Sequence, residues 1–428
     1  VNTWGRSGGG LAEIIAVGSE LLTPFKTDTN SLFLTAGLNE LGIAVERKSL
    51  VGDDPAVLRD AVQGALRRVS LVLLSGGLGP TDDDVTRETV AALLERPLLE
   101  DPVLVAALAA RFSARGWRMP ENNRRQACVP EGAEVLENPH GTAPGLWLEQ
   151  GGRVVLLLPG PPRELEPMFT NVVRKRLESR VGSGRLYRRV LKVVGRGESH
   201  VAEATQPIYD RWRQSEPKVE TTILASPGLV ELHLSVWSEA PTTATKVLDV
   251  ATAELSAALG EDLLSTDGRS LAEVVGQRLV DAGLRVGLAE SCTGGLATSR
   301  LVDIPGCSRY LAGAVVAYSN DAKQRVLGVD AAMLAEHGAV SEPVAAAMAE
   351  GVRHVVGADV GLGVTGVAGP DGGSEAKPVG TVCLAVAGPG DEVSTRIYRW
   401  PGDRAMVRRM ATLAVLGLLR RRLLARRG

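Results

Sequence analysis

Two neighbouring stretches near the carboxyl-terminal third carry residues out of keeping with ordinary helix and strand rules. In RVGLAESCTGGLATSRL, Ser291 stands where an apolar strand should end and a helix begin, followed by Thr293, Gly294 and Gly295 in the expected first turn. Two glycines there cost up to about 1 kcal/mol each against alanine, which close approach of a ligand would explain. In AVVAYSNDAKQRVLGV, Tyr318 falls at a strand end, Ser319 or Asn320 at an N-cap, and Lys323 in the first turn of the next helix. A cation in that turn opposes the helix dipole, and rules broken without structural gain cluster at functional sites. A free lysine (pKa about 10.4) is neutral roughly once in 2,500 at pH 7; burial and a helix N-terminus both bring the pKa down and make the amine available as a base. The plainer reading of Ser291 or Thr293 as an ordinary N-cap prevails for that turn taken alone, and a solvated lysine stands level with a neutral one on the residues alone.

A second constellation lies in the first third. LVLLSGGLGPTDDDVT delivers Gly76, Gly77 and Gly79 from a buried strand into a turn, then Pro80, Thr81 and three carboxylates at a helix start. Glycines admit a ligand close to the backbone, and a helix N-terminus suits a phosphate. Asp82 to Asp84 could simply cap the helix. One carboxylate would suffice for that, and three repel one another unless a hard divalent ion bridges them to phosphates. GSELL with Asp28-Thr29-Asn30, and PGPPREL with Gly160, Pro161 and Glu164, follow two further strands, and such loops converge at the carboxyl ends of a parallel sheet.

These loops need strands and helices to hold them. From Leu11 onward short apolar runs alternate with amphipathic segments, the rhythm of a parallel sheet with helical crossovers. Val154 to Leu158 is continuously apolar, as a strand buried on both faces should be. After residue 173 the rhythm changes to strand, helix, hairpin and long helix, with Val230, Leu232, Leu234 and Val236 alternating with polar residues, the mark of a sheet with one wet face. Beyond a linker at 265–268 the strand–helix alternation resumes. The expected organisation is α/β, with domains at 11–172, 173–264 and 268–428. GLGVTG at 361–366 matches GxGxxG formally, but no helix follows and no acidic residue ends a second strand at the right distance. Thr365, Gly366 and Gly369 are read instead as backbone donors to a substrate oxygen or phosphate.

Composition narrows the function classes. The 48 basic residues balance 50 acidic ones, so no global basic field gathers nucleic acid. Aromatics are 4% of the chain, which leaves the cores to Leu, Val and Ala. The four cysteines, without a CxxC pair, suit reduced thiols in a cytoplasmic chain. No apolar run approaches the roughly 18 residues of a membrane span. The opening VNTWGRSGGG lacks a signal-peptide core and reads as a floppy extension. The five histidines show no ligand spacing. From Pro401 onward eight arginines face one acid, Asp403, read as a docked helix with a solvated basic end.

AEIIAVGSELL, DTNSLFL, SGGLGPTDDDVT, NPHGTAPG and LPGPPREL, followed by AESCTGG, YSNDAK, HGAVSEPVAAAMAEGVR, TGVAGPDGG and KPVGTV, resemble in order and spacing the CinA (competence- and damage-inducible) family of bacteria. The resemblance implies an amino-terminal doubly wound sheet of the molybdopterin-binding kind, a middle KH-like α+β module and a carboxy-terminal α/β amidase domain. The middle turn Gly195-Arg196-Gly197-Glu198 lacks the second glycine of a GXXG clamp, so RNA binding is not expected.

The implied chemistry is twofold: metal-dependent cleavage of ADP-ribose-like diphosphates by the first domain, and hydrolysis of nicotinamide mononucleotide to its acid and ammonia by the third. Asp83 and Asp84, with Glu20 and Asp28 as further ligands, would hold a divalent ion of the magnesium or cobalt type; Asn30, Gly76, Gly77, Gly79, Pro80, Thr81, Gly160, Pro161 and Glu164 would bind the diphosphate. In the third domain, which needs no cofactor, Ser291 would attack the carboxamide, neutral Lys323 would take its proton, Tyr318 would relay or orient, and N–H groups around Thr293 to Gly295 would hold the oxyanion. Asn320, Thr365, Gly366 and Gly369 complete that substrate set. Cys292 is a rival nucleophile, without a histidine near in sequence to make a thiolate pair. The remaining expectations are a cytoplasmic homodimer with no nucleic-acid or membrane partner. A non-enzymatic nucleotide-sensing or scaffold role in competence or recombination, or molybdopterin binding, is the alternative.

Overall fold

The computed structural model describes residues 11–182, 184–389 and 392–425. The Gly-rich opening read as a floppy extension lies outside them. Contacts divide the chain into two compact units: the described residues through Tyr187 with Val236–Lys246, and Arg188–Ser235 with Val247 onward.

The first unit opens with β1 (Leu11–Val17), α1 (Asn30–Glu40), β2 (Ala44–Val51), α2 (Pro55–Arg68), β3 (Leu71–Ser75) and α3 (Thr86–Leu93). There follow β4 (Leu98–Glu100), α4 (Pro102–Ser113), β5 (Cys128–Pro130), β6 (Glu134–Leu136), β7 (Gly145–Gln150), β8 (Arg153–Leu158), α5 (Pro162–Met168) and α6 (Arg174–Glu178). Asp54 and Asp101 cap α2 and α4, accepting from the second and third N–H of each helix, with proline at the first position. The sheet runs β2-β1-β3-β8-β7-β6. Alternate residues of its central strands feed two cores: Ile14, Leu73 and Leu156 on one face, Ile15, Val72 and Val155 on the other. That is why β8 reads as continuously apolar. The strands β2, β1, β3 and β8 are parallel as expected, but β7 pairs antiparallel with both β8 and β6. The turn Gly151-Gly152 joins β7 to β8 as a hairpin, which no crossover helix could do.

The middle segment supplies β9 (Arg185–Val194), α7 (Glu198–Trp212), β10 (Val219–Ser226), β11 (Leu229–Ser238), α8 (Pro241–Leu259) and β12 (Leu263–Ser265), in the order β10-β11-β9-β12. Burial in β11 alternates as its sequence predicts.

The remaining elements are α9 (Leu271–Asp281), β13 (Val286–Glu290), α10 (Leu296–Val302), β14 (Leu311–Val316), α11 (Asn320–Leu327), α12 (Ala331–His337), α13 (Glu342–Val356), β15 (Val360–Gly366), β16 (Thr381–Ala387), β17 (Val393–Arg399) and α14 (Arg404–Ala425). Their sheet runs β14-β13-β15-β16-β17, parallel through β15 and antiparallel beyond. The strand β17 is one the sequence reading did not anticipate. The glycines of GLGVTG serve packing: a Cβ on Gly361 would sit 1.8 Å from the Ala349 carbonyl oxygen and one on Gly363 2.1 Å from that of Ala345, so α13 lies directly on β15. The opposite face carries Leu288, Leu362 and Leu384 against α9 and α14. In both parallel sheet segments the chain moves to one side of its first strand and later returns to the other (β2 and β3 around β1, β14 and β15 around β13), leaving a crevice at the strand carboxyl ends.

Candidate functional site

Hydrogen bonds past the strand ends bring the loops of the third segment together. Ser291 N–H donates to the Val364 carbonyl at 2.9 Å, and Ala317 N–H to the Glu290 carbonyl at 2.9 Å. The chain does not enter a helix at Ser291, as its sequence suggests. Residues 291–295 form a turn closed by Gly294 N–H donating to the Ser291 carbonyl at 3.0 Å, and α10 begins only at Leu296. Gly294 and Gly295 take φ values of +60° and +89°, the left-handed region that side chains disfavour. Neither Ser291 nor Thr293 caps the helix; its N-cap is Gly295, with no side-chain bond. The missing cap comes from Glu290, a fully buried carboxylate that accepts from Ala297 N–H at 3.1 Å, Thr298 N–H at 2.8 Å and the Thr298 hydroxyl at 2.6 Å.

Lys323 enters from α11, whose N-cap Ser319 accepts from Ala322 N–H at 3.1 Å. Only 1% exposed, its Nζ lies 3.1 Å from Ser291 Oγ and donates to the carbonyls of Ala317 at 3.0 Å and Tyr318 at 3.1 Å. No carboxylate is among these partners. Burial pushes the amine below its ordinary pKa, against a smaller opposing effect from Cys292. A neutral amine has two N–H groups and one lone pair. The two carbonyls can only accept, so they take both N–H groups and leave the lone pair for the Ser291 hydroxyl. Cys292 is buried, and desolvation pushes its thiol up to about 12, so it carries no thiolate at neutral pH.

Around this pair, Tyr318 is 60% exposed; its carbonyl holds Lys323, while its hydroxyl accepts from Arg404 at 2.9 Å. Arg404 also donates to the Gly369 carbonyl at 2.9 Å, and Arg408 donates to the Thr293 carbonyl through Nη2 at 2.7 Å and Nε at 3.2 Å. Thr293 Oγ1 is buried without a partner among the described residues. The Thr365 hydroxyl donates to the Ala339 carbonyl at 2.8 Å, Gly366 pairs with Val382 in the sheet, and Asn320 is exposed at the first position of α11. The Gly294 N–H is spent inside the turn.

Sequence reasoning missed Glu290, Arg404 and Arg408. A signal for the arginines existed: both lie in the first turns of α14, where cations oppose the dipole just as Lys323 does in α11. Nor is the basic end of that helix simply solvated, since Arg420 is 4% exposed and donates to the carbonyls of Glu261 and Leu263.

In the first unit, the loops after β1, β3 and β8 line one crevice of about 780 Å3. It is bordered by Glu20, Asp28, Asn30, Gly76, Gly77, Gly79, Pro80, Asp83, Asp84, Gly160, Pro161 and Glu164, every residue the sequence nominated for this site except Thr81. A Cβ on Gly76 would stand 2.2 Å from the Val17 carbonyl oxygen, so β3 can turn there only as glycine. Asn30 Nδ2 donates to the Gly160 carbonyl at 2.7 Å and ties two of the loops, while its Oδ1 is buried without a partner among the described residues. Thr81 acts on the loop instead: with Gly79 N–H at 2.7 Å, its own N–H at 2.9 Å and hydroxyl at 2.6 Å donate to Asp84. Asp82 faces Arg125 at 3.3 Å. Among the described residues no three acidic, His or Cys side chains converge into a group able to hold an ion by themselves. The donor set fits a hard ion held by one or two carboxylates and otherwise by substrate oxygens, the manner magnesium favours.

No helix among the described residues is long and apolar enough to cross a membrane. The family described as "CinA C-terminal domain" matches residues 268–423, and the "Probable molybdopterin binding domain" matches residues 13–179. The CinA-like protein of Koribacter versatilis is 45% identical over 420 residues, 97% of this chain and 100% of that protein. The CinA-like protein of Acidobacterium capsulatum is 45% identical over 418 residues, again 97% and 100%. A solved structure of a competence-damaged protein (CinA) superfamily member from Klebsiella pneumoniae is 34% identical, covering 37% of this chain and 99% of its own, with a TM-score of 0.35. Identity of that order along the whole length of its relatives makes this chain a member of the CinA family.

Proposed function

We propose that the third segment hydrolyses nicotinamide mononucleotide to nicotinic acid mononucleotide and ammonia, and that the first unit cleaves ADP-ribose-like diphosphates. The observation that carries the amidase reading is a buried lysine without a counter-ion, its Nζ 3.1 Å from the Ser291 hydroxyl. The neutral amine takes the hydroxyl proton as Ser291 Oγ bonds to the carboxamide carbon. The resulting ammonium returns that proton to the leaving nitrogen, so ammonia departs and an acyl-serine remains. Water then attacks the ester, Lys323 again accepts and returns a proton, and the acid is released. The N–H groups of Thr293 and Gly295, neither of them bonded to a backbone carbonyl among the described residues, would hold the developing oxyanion. Arg404 and the Tyr318 hydroxyl, bonded to each other, orient the nucleotide.

In the first unit Asp83 and Asp84 would hold a divalent ion, which when bound neutralises the diphosphate and activates a water. The chain's own part is to cradle the diphosphate on the glycine turn after β3 and to offer Asn30 Oδ1 to a hydroxyl of the substrate. The test is ammonia release from nicotinamide mononucleotide and cleavage of ADP-ribose, each with and without divalent metal. Ser291→Ala is expected to lower ammonia release at least about a thousandfold, and Cys292→Ala to leave it within a few-fold. Full activity of Ser291→Ala, or total loss in Cys292→Ala, would move the nucleophile to Cys292.

A further inference from the structure

A second cavity, of about 370 Å3, opens in the other unit between the middle sheet and the helices α9, α10 and α14. Its volume falls in the small-molecule range of roughly 300–1,000 Å3. It shares no residue with the Ser291–Lys323 cluster. Leu229 of β11, Leu296 of α10 and Leu413 of α14 give it apolar walls, while Lys192, Arg300 and Arg409 reach it against a single acid, Asp303.

The cations are unequally engaged. Arg300 faces Asp303 at 3.8 Å, one helical turn away, and both are well exposed. Lys192, only 18% exposed, meets Glu231 at 3.4 Å, a carboxylate already shared with His233 at 2.9 Å. Arg409 makes no hydrogen bond or ion pair among the described residues. Its guanidinium, with five donors in a fixed fork, stands at the edge of a leucine-lined hollow. With Arg300 paired to Asp303 and Lys192 to Glu231, the cavity joins an apolar interior to one uncompensated cation, Arg409, complementary to a molecule with the opposite arrangement.

We infer that this cavity is a binding site for a small amphiphilic anion, an apolar ring system seated among the leucines with its anionic head group against Arg409 and Lys192. The site is also mechanically close to the amide-cleaving loop. Leu296 opens α10 straight after that loop, and Arg409 follows Arg408, which holds the Thr293 carbonyl.

The test is calorimetric titration of the full chain with 1-naphthaleneacetate and with its neutral counterpart 1-naphthaleneacetamide, nearly equal in shape. The acid is expected to bind at a single class of site at least about tenfold more tightly than the amide, with an affinity that falls as salt rises. Arg409→Gln should remove that preference, and Leu413→Trp, which fills the hollow, should abolish binding of both. Because Arg409 is exposed and unpaired, its variant decides the matter even if Leu413→Trp does not fold. Equal affinity for acid and amide, an undiminished preference in Arg409→Gln, or no binding of the acid would each overturn the inference.

Discussion

The amine of Lys323 makes the most demanding prediction, because one buried group should govern both a rate and a stability. Lys323→Met keeps the length of the side chain and removes the nitrogen from its place 3.1 Å from Ser291 Oγ. General-base catalysis contributes typically about 10²–10⁴-fold, so the variant should lose that much in kcat/KM, about 2.7–5.4 kcal/mol of transition-state stabilisation at 1.36 kcal/mol per decade. In the wild type only the neutral amine is productive. Below its lowered pKa the rate should fall about tenfold for each unit of pH, and above it the profile should level off, whereas the residual rate of Lys323→Met should lack this limb. Stability must follow with a defined sign. Burial lowers the folded-state pKa below the ordinary 10.5 of the unfolded chain. Between the two values the unfolded chain binds more protons at this amine, so the stability difference between wild type and Lys323→Met should rise with pH across that window by up to about 1.4 kcal/mol per unit and be flat below it; the raised thiols of Cys292 and Cys383 act with the opposite sign in both chains and drop out of the difference. Rates of ammonia release at constant ionic strength, with urea unfolding at matched pH, measure both. A wild-type rate independent of pH, or a Lys323→Met variant that keeps the pH-dependent limb, would refute the neutral-amine argument.

Three further outcomes follow from the same geometry. Glu290→Gln turns one acceptor facing helix N–H groups into a donor, and should cost about 2 kcal/mol or more in urea unfolding while lowering kcat for ammonia release more than it raises KM. Asp84→Asn and Asp83→Asn should separate in ADP-ribose hydrolysis: Asp84 accepts three bonds that shape the turn, so its loss should not be rescued by added metal, whereas the deficit of Asp83→Asn should shrink as the metal concentration rises. Gly363→Ala places a methyl 2.1 Å from the Ala345 carbonyl oxygen and should destabilise the chain by about 1–3 kcal/mol in urea unfolding, with no direct effect on either reaction.

What could be read in advance divides along a physical line. Local pattern declares burial, so Val154 to Leu158 could be recognised as a strand covered on both faces and β11 as one with a wet side. Turn chemistry placed the three crevice loops, because glycine and proline act within a few residues of themselves. Pairing direction is not local: nothing in TVCLAVA says that β16 runs against β15, and β17, whose VSTRIYR carries little apolar alternation, was passed over. Likewise Thr81 looked like a ligand residue but spends its donors on Asp84, and Gly294 looked like an oxyanion donor but closes its own turn. Such bonds depend on which partner the fold brings near.

The two candidate sites handle charge in opposite ways, and the difference bears on why Lys323 was legible and Arg404 was not. A lysine can be stripped of its charge by burial, since its pKa moves readily, and the cost is a share of stability returned as reactivity. Its signature is therefore a cation in the first turn of a helix, where the dipole opposes it. An arginine keeps its charge in any protein environment, so Arg404 and Arg408 act as cations, paired with carbonyls and a phenol. Their place at the start of α14, where a cation opposes the dipole, is then the one mark that sets them apart in sequence from the arginines further along the helix. In the crevice of the first unit Asp84 instead keeps its charge among the N–H groups and hydroxyl of its own loop. Only the lysine has to be neutral before substrate binds, so its share of the pH dependence of stability should be present in the absence of any ligand.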